Sequence, residues 1–182
     1  MNLVFGLIGG ISSGKTTAAE YLSENHRFVE IYTATILKTM VVDMYDLPAE
    51  CAFGTQEQKS EPRPELGMLS TRMVLEHFAK EFRRYNPDVF LDRAVRHITA
   101  PRIVISNIRY HNEHHWVKSR RGFIIRMNVL REKPPSTGHE TDTLWREMPY
   151  DYSVNVIRGD IEGMQDRLDE IVRLAIEANR AS

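Results

Sequence analysis

Cysteine is almost absent from this chain of 182 residues, with Cys51 alone. A single thiol excludes an internal disulfide and fits a reducing compartment, so a cytoplasmic location is expected. No run of 18 apolar residues occurs, which argues against a helical membrane span. The opening MNLVFGLIGG lacks the basic start of a secretion signal and passes straight into a glycine-rich stretch, so it reads as a strand. Internal repeats and low-complexity tails are missing as well. With 42% apolar and 27% charged residues, the composition is that of a single globular domain over residues 1–182.

Net charge is also small, at −1, but it is unevenly distributed. Residues 1–69 carry 5 Lys/Arg against 9 Asp/Glu, and residues 134–182 carry 5 against 10. Residues 70–133 carry 14 against 6, a net +8. A basic block of this kind is either a solvated face or a wall that faces an anion.

Hydrophobic spacing predicts the elements. Leu3–Ile8 is a short apolar run suited to a parallel strand buried on both faces. A helix follows over Thr16–Ser23, then a weak strand at Phe28–Tyr32 and a helix at Ile36–Tyr45. Residues 48–66 are expected as a loop, because Pro48, Gly54, Pro62 and Pro64 interrupt them. Helices are expected from Ser70 to about Tyr85, where Val74, Phe78 and Phe82 are four apart, and over Val89–His97. A strand at Arg102–Ser106, a helix at Tyr110–Ser119 and a strand at Phe123–Leu130 precede an irregular, charged stretch at 131–149. A strand at Tyr152–Ile157 and a helix at Ile161–Arg180 close the chain. That last helix carries an apolar stripe through Ile161, Met164, Leu168, Ile171, Val172 and Ala175. Strands alternating with helices predict an α/β fold, a doubly wound, mostly parallel sheet with helices on both faces.

Between the first strand and first helix stands Gly9-Gly10-Ile11-Ser12-Ser13-Gly14-Lys15-Thr16, a full match to G-x-x-x-x-G-K-[ST]. The glycines allow successive N–H groups to turn inward on phosphate oxygens. Lys15 reaches the β/γ-phosphates and Thr16 offers its hydroxyl to Mg²⁺. The candidate nucleotide-binding residues are therefore Gly10, Ile11, Ser12, Ser13, Gly14, Lys15, Thr16 and Thr17, with ATP and Mg²⁺ as cofactors. No N-K-x-D guanine reader occurs, and a large motor ATPase needs more chain, so a small P-loop kinase is expected. The alternative of a different class is a P-loop ATPase or binding module that drives a partner.

Further along, Thr71-Arg72-Met73-Val74-Leu75-Glu76-His77-Phe78-Ala79-Lys80-Glu81 precedes Asn86-Pro87-Asp88. Asn107-Ile108-Arg109 with Glu113 ends a strand, and His139 and Glu140 lie in the charged stretch. With the P-loop, these segments resemble the bacteriophage deoxynucleoside monophosphate kinases, within the wider nucleotide- and thymidylate-kinase group. The resemblance runs through most of the chain in order. It implies that Arg72 and Arg109 face the acceptor and that 131–149 is lid-like, with 48–66 near the acceptor side. The family helix usually reads R-x-x-x-Q-x-x-G-[TS]-[DE]. Here Glu76 stands for the glutamine, Ala79 for the glycine and Lys80 for the hydroxyl residue, while Arg72 matches. The family strand end reads D-x-R, and here Asn107 replaces the aspartate while Arg109 remains. A second group with the same outline, the phage kinases that phosphorylate 5-hydroxymethyluracil within DNA, would suit such departures and the +8 midsection. The expected partner is thus a deoxypyrimidine nucleotide, free or within DNA, the free monophosphate leading. No membrane is expected, and a homodimer is left open.

Other residues carry alternatives. Arg131 and Lys133 open the charged stretch, as lid arginines do when they neutralise a transferring phosphoryl group, or they form a basic loop tip. Arg131 joins Lys15, Arg72 and Arg109 as the catalytic candidates. Arg83, Arg84, Arg93 and Arg96 could hold acceptor phosphate or pair with acids on solvated faces. His111, His114 and His115 share one helix side, more in keeping with a surface patch than a metal site. His139, Glu140 and Asp142 could supply a base, and Asp43 and Asp46 could approach an acceptor hydroxyl. Phe53, Trp116, Trp145 and Tyr150 could stack a base, with core packing favoured for Trp116.

Overall fold

The computed structural model describes residues 2–130 and 141–181. In chain order its elements are β1 (Leu3–Ile8), α1 (Lys15–His26), β2 (Val29–Ile31), α2 (Thr35–Met44), α3 (Glu50–Phe53) and α4 (Gln56–Ser60). Then come β3 (Pro62–Arg63), a 3-10 turn (Pro64–Leu66), β4 (Leu69–Ser70), α5 (Thr71–Tyr85), α6 (Val89–Val95), β5 (Arg102–Ile105) and α7 (His111–Ser119). β6 (Phe123–Val129), α8 (Thr141–Leu144), β7 (Tyr152–Val156) and α9 (Ile161–Ala181) complete it. They group into two compact units, Met1–Tyr32 with Ile98–Ser182, and Thr33–His97.

The first unit is built on a five-stranded sheet of order β2-β5-β1-β6-β7, parallel at every pairing. β1 is central and buried along its whole length, which is why its sequence is a continuous apolar run. Its odd residues Leu3, Phe5 and Leu7 share a cluster with Val104 of β5, Ala18, Ala19 and Leu22 of α1, and Leu168, Ile171, Val172 and Ala175 of α9. On the opposite face Gly6 lies against Ile108, Ile124 and Val117 of α7. Helices therefore cover both faces, as the alternating pattern predicts. Ile161 leaves the expected stripe of α9: it is the first residue of the helix and stands 54% exposed.

The second unit packs Leu37 and Val41 of α2, Leu47, Cys51, Leu66, Val74 of α5 and Phe90 of α6 into its own core. Here the expected loop at 48–66 is corrected, since it folds into α3, α4 and the short antiparallel β3–β4 hairpin. The prolines that read as breakers stand at element starts, Pro48 before α3 and Pro64 as first residue of the 3-10 turn, where a missing N–H costs little. Thr55 and Gln58 close α4 reciprocally: Gln58 N–H donates to Thr55 Oγ1, and Thr55 N–H donates to Gln58 Oε1. Of the expected irregular stretch at 131–149, residues 131–140 lie outside the described residues, and α8 follows them.

Candidate functional site: a phosphate cradle at the end of the central strand

The loop from Gly9 to Gly14 joins β1 to α1 at the carboxyl end of the central strand, where ligands gather in open α/β sheets. Gly9 adopts φ +151° and Gly14 φ +82°, and Ser12 between them is also left-handed at φ +58°. Ser13 N–H donates to Gly10 O at 3.3 Å, closing the turn, and the first bond within α1 runs from Ala18 N–H to Gly14 O at 2.9 Å. Gly14 caps α1 without a side-chain hydrogen bond. The amides of residues 14–17 consequently have no acceptor inside the helix and carry the positive end of its dipole. Such an uncapped start suits a phosphate group, and the exposed Thr16 in its first turn suits a hard cation beside it.

Lys15 lies back over this loop. Its Nζ donates to Gly9 O at 2.9 Å, Gly10 O at 2.6 Å and Ser13 Oγ at 3.2 Å, all within the loop itself. Burial, and after it the Arg109 guanidinium, lowers the Lys15 ammonium to about 8. Phosphate oxygens favour the charged form, so a bound polyphosphate raises that value again. Near pH 8 nucleotide binding should therefore take up about half a proton through Lys15, fading toward neutral pH and weakening affinity as pH rises above 8. Titration calorimetry in buffers of different ionisation enthalpy reads this uptake directly. The uptake should vanish in Lys15→Met, and its absence at pH 8 in the native chain would contradict the assignment.

Arg109 is the second cation of this end. It follows β5, which lies beside β1, and Ile108 N–H donates to Leu7 O at 3.1 Å. The backbone around it is fixed by Glu113 of α7, a carboxylate only 3% exposed, which accepts from Arg109 N–H at 2.8 Å and Tyr110 N–H at 3.2 Å. Asn107 sits half-buried at the same strand end. Lys15 and Arg109 are thus brought together within one unit.

Arg72 belongs to the second unit, on the first turn of α5, where it donates to Gln56 Oε1 of α4, while among the described residues its buried Nε has no hydrogen-bond partner. Arg131, Lys133, His139 and Glu140 lie outside the described residues, and so does the Asp142 side chain. Arg83 packs over the Phe90 ring at 4.7 Å, and Arg84 faces Glu81 at 3.9 Å. Arg93, Arg96, Asp43 and Asp46 are exposed. His114 pairs with Pro149 O at 2.8 Å, and among the described residues no three His, Cys, Asp or Glu side chains converge on a metal position. Trp116, expected in the core, is instead half-buried under the Arg120 guanidinium at 3.8 Å. Phe53 lies under Lys38 Nζ at 5.1 Å.

Two groups escaped the sequence. Arg126 of β6 donates to the carbonyls of Trp145, Arg146 and Met148 and stacks on Tyr150 at 4.1 Å, which ties the chain after α8 to the sheet. Asp169 of α9 accepts from Tyr21 Oη at 2.8 Å and pairs with His26 Nε2 at 2.6 Å. The hydrogen bond from His26, then that from Tyr21, holds the Asp169 carboxyl below its usual range. These partners are 143 and 148 residues apart in sequence, and no local spacing announces them.

The sheet order and the cradle define a P-loop nucleotide-binding domain of the kind that phosphotransferases use. No protein-family model matches the chain. Over 142 residues, 69% of this chain and 74% of the other, it is 29% identical to a protein of Acanthamoeba polyphaga mimivirus named "Putative deoxynucleotide monophosphate kinase". Among solved structures it is similar to TT1252 from Thermus thermophilus, with TM-score 0.49, 17% identity, and 95% and 97% of the two chains covered. It is also similar to the shikimate kinase from Bacteroides thetaiotaomicron, with TM-score 0.42, 15% identity, and 94% and 98% covered. No described helix is long and apolar enough to cross a membrane.

Proposed function

We propose that this chain is an ATP-dependent kinase that transfers the γ-phosphoryl group to a deoxynucleotide, a free deoxypyrimidine monophosphate first. The observation that carries the reading is the cradle itself. Uncapped amides at the start of α1 and an ammonium held 2.6 to 3.2 Å from the loop's own oxygens form a ready polyphosphate site. Likeness to the mimivirus protein, by its name a deoxynucleotide monophosphate kinase, supports the acceptor class.

When bound, ATP with Mg²⁺ supplies the γ-phosphoryl group and neutralises part of its charge. The chain's own residues do the positioning. Amides of residues 10–17 orient the phosphates, and Lys15 exchanges its loop carbonyls for phosphate oxygens. Thr16 faces the metal, and Arg109, with its backbone clamped by Glu113, neutralises charge that builds on the transferring group. Arg72 is assigned to the acceptor phosphate, and Arg131 to the transferring group.

For an acceptor within DNA, the +8 midsection would have to form a basic track that reaches the loop. Arg120 and Arg121 do not favour that. α7 returns between two parallel strands, so these residues follow its far end, opposite the cradle end of the sheet. The test offers ATP labelled on the γ-phosphate with each deoxynucleoside monophosphate and with DNA containing 5-hydroxymethyluracil. Label is expected on a free deoxypyrimidine monophosphate. Label only in DNA would replace that acceptor, and release to water alone would replace the kinase by an ATPase.

A further inference from the structure

Ser106 follows the last residue of β5 and is 3% exposed, and among the described residues its hydroxyl has no hydrogen-bond partner. Buried hydroxyls almost always have one, so an orphan at a binding site points to a ligand. Its place is fixed by the sheet. Gly6 of β1 pairs with Ile105, which sets Ser106 level with Leu7, two residues before the loop's Gly9. Val104, two residues earlier on the same face, packs with Ala18, Ala19 and Leu22 of α1. Ser106 therefore faces the α1 side at the end where that helix starts, which is the end that exposes Thr16.

Asn107 comes next, a neutral side chain at the strand end. The buried carboxylate of this region, Glu113, already accepts from two backbone amides. Among the described residues no acidic cluster stands in for it. The side chains of Ser106 and Asn107, which follow β5, are both neutral.

We propose that the Ser106 hydroxyl accepts a hydrogen bond from the water shell of the Mg²⁺ that accompanies the nucleotide, so that a neutral group helps to hold the metal at this strand end. This rests on the reading of the loop as a nucleotide site. Mg²⁺ keeps several of its waters, and those waters are strong donors that need only acceptors around them. Neutral acceptors orient the shell without adding charge. The metal is then held chiefly by the phosphates and Thr16, and binds together with the nucleotide.

The test measures affinity for the non-hydrolysable analogue AMPPNP by calorimetry, with EDTA and with Mg²⁺, in the native chain and in Ser106→Ala. Mn²⁺ resonance spectra provide a second readout of the metal itself. Ser106→Ala should reduce the gain in affinity that Mg²⁺ confers by about tenfold, the scale of outer-shell losses at metal sites. It should melt no lower than the native chain, because it removes a hydroxyl that bonds nothing. An unchanged Mg²⁺ gain in Ser106→Ala overturns this proposal while metal-free binding preserves the nucleotide site. No AMPPNP binding by the native chain overturns both.

Discussion

Lys15→Ala should lower phosphoryl transfer by about 10²–10³-fold, the usual loss when one preorganised charge is removed from a transition state. The same protein should remain folded. Every hydrogen bond of the Lys15 ammonium goes to its own loop, to Gly9 O, Gly10 O and Ser13 Oγ, and none reaches the core. The measurement pairs steady-state transfer rates with a thermal melt. Transfer at near-native rate by a folded Lys15→Ala chain would remove the kinase reading, whatever the acceptor.

The largest structural loss is expected at Gly9→Ala. A methyl group built there meets Ser13 Oγ at 2.6 Å and the Met127 carbonyl of β6 at 2.7 Å, both inside contact distance. Gly9 also holds φ +151°, which side chains rarely adopt. Strain and overpacking together should cost about 2–4 kcal/mol and displace the loop from β6. Gly14→Ala makes the control. Gly14 is left-handed at φ +82°, but its nearest neighbours stand 3.7 Å away, so only the backbone preference is lost, about 1–2 kcal/mol. Denaturant melts should rank Gly9→Ala well below Gly14→Ala, and nucleotide binding should be lost in the former. Equal melts for the two variants would show that the approach of Gly9 to Met127 O does not constrain the loop.

Sequence spacing located most elements because their signals are local. The apolar run of β1, the 3.6-residue stripe of α9 and the four-residue spacing through α5 need only neighbours to be recognised. Residues 48–66 defy local reading because proline and glycine stop a helix only in its interior. Pro48 and Pro64 instead stand where a helix or turn begins, and a Thr55–Gln58 capping box compensates for a very short α4. Trp116 was expected inside because large aromatics usually bury. Arg120, one helical turn later, covers its ring on the surface instead.

The amino-acid sequence by itself determined the phosphate chemistry. Gly9 through Thr16 spell out a loop whose glycines, lysine and hydroxyl are contiguous, so their mutual geometry follows from a few backbone angles. It also determined the α/β class, since the alternation of strands and helices is written residue by residue. Tertiary structure alone decided what surrounds that loop. The sheet order β2-β5-β1-β6-β7 brings Arg109 to Lys15, far earlier in the chain, sets Ser106 level with Leu7, and puts Met127 O against Gly9. Glu113 is buried under the backbone of Arg109, and Arg126 gathers three carbonyls across the sheet edge. These pairings join residues far apart in the chain. Loop-closure entropy opposes each of them until the whole core is buried, so no local pattern encodes them one at a time.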